Sequence, residues 1–235
     1  EFCKISSCSP EEFFYFKNGS IRTQPIKGTI GRHQNIEKDI AAYHKLKNSE
    51  KDFAELTMIT DLMRNDLSTC SIQSSVKTPS ICEIVPFHYV YHLASTITAK
   101  TKPELTPLDL LTQLAPGGSI TGCPKHSACK IIQQLESGTR DFYTGHIGFI
   151  KGLEEAAFNV AIRTCYQYKN DGIKKAWNHQ YSDLDALPLI EKYFLKQDFI
   201  ASINVMILSP FVLFSCNTYI NYNLNWYVNN EVLVP

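Results

Sequence analysis

The sequence predicts a mixed α/β (α+β) fold built on strand pairs, and three of its features lead there. Asn18-Gly19 stands between apolar and β-branched runs, a strong short-range hairpin signal. Leu56, Ile59, Met63 and Leu67 recur at helical spacing in a stretch that begins near Glu37. Residues 81–100 and 141–169 are alternating or β-branched, yet no regular strand–helix–strand recurrence joins them, so strand pairs are expected in place of regular βαβ repeats.

Taken in chain order, "EEFFYFKNGSIRTQPIKG" is expected to form a strand, the Asn-Gly turn and a second strand ending at Lys27. One or two helices are expected from Glu37 to Arg64, followed by a polar interruption from Ser68 to Pro79. "ICEIVPFHYVYHLASTITAK" predicts one or two strands that contain His92. An amphipathic helix is expected from about Pro107, then a glycine loop from Pro116 to Gly122, then a helix beginning near Pro124. The loop thus falls at a helix N-terminus, where backbone N–H groups can bind an anionic group. "DFYTGHIGFIKG" and "EAAFNVAIRTCYQYK" predict paired strands joined by a turn around Gly152. After Asn170 the composition turns to asparagine, tyrosine and bulky apolar residues, and signals for individual elements fade.

Composition narrows the function classes. A chain of 235 residues with 44% hydrophobic content suits one globular domain or two small ones. Its 23 basic and 23 acidic residues cancel, so no overall field draws it to nucleic acid or to an anionic membrane, and recognition of an anion must be local. Eight cysteines without a C-x-x-C pair, in a chain long enough to bury a core, are expected to be mostly reduced thiols in a cytoplasmic protein. The opening "EFCKISSCSPEEFF" lacks a secretory pattern and lacks Met, which predicts a fragment. "IASINVMILSPFVLFSC", residues 200–216, is slightly short for a membrane span and carries Ser202, Asn204, Ser209 and Pro210, so no transmembrane role is expected.

Several residues are candidates for chemistry. Lys27 lies between Pro25-Ile26 and Gly28-Thr29, where it is either a surface charge or a nucleophile. Glu11, in the first strand of the same hairpin, is either an ion-pair partner or an acid able to protonate a leaving group. "PGGSITGCPK" has glycines and hydroxyls that let backbone approach an oxyanion, but it lacks Walker A spacing and is otherwise an ordinary helix-entry loop. Arg163, in the apolar "AIRT", needs a fixed acceptor, either a structural carboxylate or an anionic ligand. Glu55 and His92 are metal or proton-transfer candidates, or else a solvated helix carboxylate and a structural histidine. No zinc spacing is present, and carboxylate binding with substrate oxygens would suit Mg²⁺.

In family order, "SPEEFF", "PIKGT", "AELTMITDLMRNDLS", "VPFHYVYHLASTITA", "PGGSITGCPKHSACKIIQQLE", "YTGHIGFI" and "FNVAIRT" run from Ser9 to Thr164. Over these segments the chain resembles the chorismate-utilising enzymes, the family of anthranilate synthase component I, aminodeoxychorismate synthase component I and the isochorismate synthases. The resemblance implies a chorismate-binding fold of two packed antiparallel sheets with outer helices and a site between the sheets. It also implies a chain incomplete at its N-terminus. Residues 1–166 would be a partial catalytic domain and 167–235 a divergent C-terminal segment.

Within the family the residue before Gly-Thr separates activities, alanine in anthranilate synthases and lysine in aminodeoxychorismate synthases. The resemblance therefore implies an aminodeoxychorismate synthase type of enzyme, in which Lys27 attacks C2 of chorismate and Glu11 protonates the departing C4 hydroxyl. His92 would lie beside the substrate ring, and Glu55 would bind Mg²⁺. Tyr143 and Arg163 would hold the enolpyruvyl carboxylate, with Gly28, Thr29 and Ser119 completing the cradle. Ammonia would come from a glutamine amidotransferase subunit. The alternatives are an anthranilate synthase, or an inactive member acting as a binding subunit.

The departures from the family begin at Gly31, which replaces a proline. After Thr164 the family's triple-glycine stretch and second glutamate pair are missing. Asp183, Asp185 or Glu191 would have to supply the second metal carboxylate, unless this end reflects a lost reading frame.

Overall fold

The computed structural model describes residues 3–137, 140 and 142–168, together with 174–176, 202–209, 212–219, 227–228 and 231–232. They fall into two compact units. One comprises Glu11–Ser137 and Lys151–Phe158, and the other Glu1–Pro10, Gly138–Ile150 and Asn159–Pro235.

In the first unit, β2 (Glu12–Lys17) and β3 (Ser20–Gln24) form the expected hairpin. Asn18 and Gly19 take φ of 46° and 72°, the left-handed pair that a two-residue turn between twisted strands requires. The chain does not end its second strand at Lys27. Pro25, which has no N–H for the ladder, breaks the run, and Lys27 lies in a further strand, β4 (Ile26–Gly31). Both β3 and β4 pair with β6 (Val90–Lys100), and β5 (Lys77–Pro86) pairs with β6 as well, so β6 is the common partner. On the other side, β8 (Glu155–Val160) lies next to β2.

Two helices, α1 (Ile36–Lys47) and α2 (Glu50–Cys70), occupy the stretch where one or two are expected and are separated by two residues, Asn48 and Ser49. Asn35 and Ser49 cap their N-termini through side-chain oxygens that accept from Lys38 N and Asp52 N. Leu56, Ile59, Met63 and Leu67 are buried, as the spacing predicts, and α2 runs into the polar stretch as far as Cys70. Leu46 and Leu56 pack with Cys82, Tyr91 and Leu93, which presses both helices onto β5 and β6. Each such fully buried aliphatic side chain contributes about 1.5–3 kcal/mol of transfer free energy. A second contact joins Phe14 and Phe158, ring centroids 5.3 Å apart.

The helix α3 (Pro107–Leu114) begins at a capping box in which Thr106 and Asp109 exchange side-chain and backbone hydrogen bonds, with Pro107 at the first helical position. A short 3₁₀ turn, Gly118–Ile120, and then α4 (Lys125–Leu135) follow.

The second unit has β1 (Cys3–Ser7) paired with β9 (Thr164–Tyr168), which also pairs β10 (Lys174–Ala176). A separate ladder joins β7 (His146–Lys151), β11 (Ser202–Ser209) and β12 (Val212–Tyr219). Residues 202–209 and 212–216 of the apolar stretch are thus in strands, and no described helix is long and apolar enough to cross a membrane. Arg163 is not inside a strand. It sits in an exposed bend before β9 with φ of 49°, so its guanidinium needs no buried acceptor. Asp183, Asp185 and Glu191 lie outside the described residues.

Candidate active site

The local architecture around Lys27 starts from a glycine. In the β4–β6 ladder Lys27 stands opposite Leu93, and regular pairing would set Gly28 opposite His92 and Thr29 opposite Tyr91. The register instead slips by one, and Thr29 faces His92 while Ile30 faces Tyr91. Gly28 absorbs the extra residue at φ of 71°, a conformation that side chains with a Cβ rarely adopt. It also lies close to the helices, since a Cβ built on it would stand 2.9 Å from Asp52 Cγ and from Leu46 Cδ1. The slipped register brings the Thr29 hydroxyl and His92 Nδ1 to 2.8 Å, where either can donate according to the histidine tautomer. The His92 ring is buried and meets the edge of Phe87, centroids 5.1 Å apart.

Glu11 lies immediately before β2, not in it. The residue keeps part of its surface exposed, but its carboxyl end is deeply enclosed. Burial raises its pKa above the usual carboxylate range, more than a hydrogen bond from Ser119 and the nearby Lys27 charge lower it. Ser119 and Lys27 thus both act on Glu11, and the three residues come from separate segments of the first unit.

Ser119 is held by its loop. Gly118 lies so near α2 that a Cβ there would fall 2.6 Å from Leu62 Cδ2. Lys125 Nζ donates to Asp66 Oδ2 at 2.7 Å and to the Leu114 carbonyl at 3.1 Å. Sequence reasoning passes over this pair because its members are 59 positions apart. Lys125 stands in the quoted glycine-loop motif, but nothing local marks Asp66 as its partner.

Glu55 projects from α2 with its side chain 44% exposed, 3.8 Å from Lys51 Nζ. Among the described residues no three His, Cys, Asp or Glu side chains converge as a metal site. A single accessible carboxylate fits a Mg²⁺ ion that keeps most of its waters and takes substrate oxygens, and it does not fit zinc.

Tyr143 and Arg163 belong to the second unit. Tyr143 lies in the turn before β7, its N–H donating to the Arg140 carbonyl at 2.8 Å and its ring 5.9 Å from the Arg140 guanidinium. Arg163 accepts from Cys8 N at 3.0 Å through its carbonyl, which leaves its side chain at the surface.

Residues 1–177 match the family described as chorismate binding enzyme. The chain belongs to that family. As a chorismate-binding enzyme it is 45% identical over 160 residues to aminodeoxychorismate synthase component 1 of Salmonella typhimurium, covering 68% of this chain and 35% of the relative. The Escherichia coli protein of the same name is 44% identical over the same shares. Anthranilate synthase component 1 of Saccharolobus solfataricus is 37% identical, covering 68% of this chain and 38% of that protein. The chain thus spans little more than a third of the length of these relatives.

Among solved structures, anthranilate synthase component I of Streptococcus pneumoniae superposes with a TM-score of 0.62 at 35% identity, covering 70% of this chain and 36% of that one. An isochorismate synthase of Escherichia coli reaches the same TM-score at 20% identity, covering 72% of this chain and 38% of that one, a likeness of fold alone. The chorismate-binding fold is mixed helix and antiparallel sheet, in accord with the strand pairs that the sequence predicts.

Proposed function

We propose that this chain carries out the chemistry of aminodeoxychorismate synthase component I, converting chorismate and ammonia to 4-amino-4-deoxychorismate. The observation that carries the proposal is the enclosed Glu11 carboxyl group, on which the Ser119 hydroxyl and the Lys27 charge both act. The Lys27 amine attacks C2 of chorismate, the ring double bond shifts, and the C4–O bond breaks. Glu11, whose burial favours the protonated form, delivers the proton to the departing hydroxyl. Ammonia then adds at C4, the double bond shifts back, and the Lys27 amine leaves from C2.

His92, oriented by Thr29 and Phe87, lies beside the ring. Gly28, Thr29 and Ser119 supply backbone and hydroxyl donors to the substrate. Glu55 would hold Mg²⁺, which when bound offsets the negative charge of the substrate carboxylate. A glutamine amidotransferase subunit is the proposed source of ammonia, in keeping with the component 1 names of the relatives. Residues 1–166 are proposed as the catalytic part.

The test is ammonium-dependent consumption of chorismate by the purified chain with Mg²⁺, with the product identified by mass and fluorescence. Aminodeoxychorismate is expected. Fluorescent anthranilate would move the assignment to the anthranilate synthases, and a folded chain without turnover would leave a binding role. Lys27→Ala is expected to abolish the covalent adduct in the mass of the intact protein, and an adduct that persists would refute the lysine's role.

A further inference from the structure

Building on this reading of Glu11, we propose that the Asp66–Lys125 ion pair is a positioning device that seats Ser119 against the Glu11 carboxyl group. The pair ties three elements together. Lys125 opens α4, Asp66 lies on α2, and the Leu114 carbonyl ends α3, so the contacts at 2.7 Å and 3.1 Å draw the two ends of the Ser119 loop onto one helix.

The loop itself has little freedom between those ends. Thr121 Oγ1 donates to the Gly117 carbonyl at 2.9 Å, and Thr121 N to the Gly118 carbonyl at 3.3 Å. A Cβ built on Gly118 would stand 3.6 Å from Asp66 Oδ2 as well as 2.6 Å from Leu62 Cδ2. The oxygen that accepts from Lys125 therefore borders the residue immediately before Ser119. A shift of Asp66 is passed to the serine through one peptide unit.

The physics of the pair points the same way. Its side chains are only 22% and 15% exposed, so solvent screens them little. Burial nonetheless raises the Asp66 carboxyl in spite of Lys125, the sign that desolvation offsets much of the attraction. Such a pair contributes little net stability and much fixed geometry. Ser119 from the loop and Lys27 from β4 both act on Glu11, and Ser119 adjoins Gly118, the residue that borders Asp66. Asp66 and Lys125 thus act on the proton donor through the serine.

The experiment is a ¹³C NMR titration of the Glu11 carboxyl in the full chain, assigned with Glu11→Gln. Ser119→Ala removes a hydrogen bond to the carboxylate and is expected to raise the apparent pKa. Lys125→Met and Asp66→Asn are expected to raise it likewise, with no further rise when either is combined with Ser119→Ala, and Lys125→Arg to restore the native titration. Folded variants whose Glu11 titrates as in the native chain, or whose effects add to that of Ser119→Ala, would overturn the proposal. Should the charge-removing variants not fold, Asp66→Glu lengthens one arm while keeping both charges and must shift the titration in the same direction. The titration needs no substrate. A shifted Glu11 in a chain without chorismate turnover would remove the functional reading and keep the positioning role, whereas turnover with an unmoved Glu11 would remove the positioning role alone.

Discussion

Glu11 is a residue whose position works against the stability of the fold at neutral pH. Its folded pKa is raised, so the native state binds this proton more tightly than the unfolded chain does. The stabilisation is fully present below the unfolded pKa and is lost as pH rises through the folded one. Glu11→Gln is therefore expected to stabilise the chain at pH 7.5 and to have little effect near pH 4, read as the difference in urea midpoint at the two values. The same substitution removes the proposed proton donor and is expected to slow turnover by roughly 100- to 10,000-fold. Loss of activity with unchanged stability at both pH values would mean that the carboxyl group is not held protonated by its surroundings. Burial of a single carboxyl group in this way cannot be read from "SPEEFF", which only shows that two glutamates precede an aromatic run.

At the scale of the element, the bulge in β4 decides which side chains meet. Without Gly28 in its left-handed conformation, Thr29 would stand opposite Tyr91 and not His92. Gly28→Ala forces a Cβ into an unfavourable backbone region and to within 2.9 Å of Asp52 and Leu46. The strain alone is expected to cost roughly 1–3 kcal/mol, seen as a fall of several degrees in Tm. The His92 imidazole shift in NMR should move as well, because relief of the clash displaces Thr29. A variant with native Tm and native His92 signals would show that the bulge is not needed. "PIKGT" presents the glycine, but the slip in register exists only against β6, some sixty residues further along the chain.

For the whole molecule, the segment beyond the family match bears on solubility. In the ladder of the second unit, β11 pairs Val205–Leu208 with His146–Phe149 of β7 and so covers that strand's edge. A chain ending at residue 177 would leave the edge of β7 open, and exposed edges template association between copies. With no net charge and a pI near 7.2, little electrostatic repulsion opposes that association at neutral pH. Such a truncation is expected to raise light scattering relative to the full chain at equal concentration. Equal scattering would show that residues 178–235 do not protect β7. The composition of this end, rich in asparagine and poor in caps, says nothing of a strand partner, because pairing depends on the facing strand as much as on the segment itself.

What the sequence determined by itself is what local periodicity and turn chemistry carry. The Asn18-Gly19 hairpin, the buried stripe of α2, the helix from Pro107 and the glycine loop all stand where the spacing puts them, and the ordered motifs already named the family. Tertiary structure alone decided that Lys27 lies in a strand of its own, that Glu11 is enclosed beside Ser119, that Arg163 is at the surface, and that Asp66 meets Lys125. The physical reason is range. Propensity and period act over a few residues, whereas burial, register and charge pairing depend on elements brought together from distant parts of the chain.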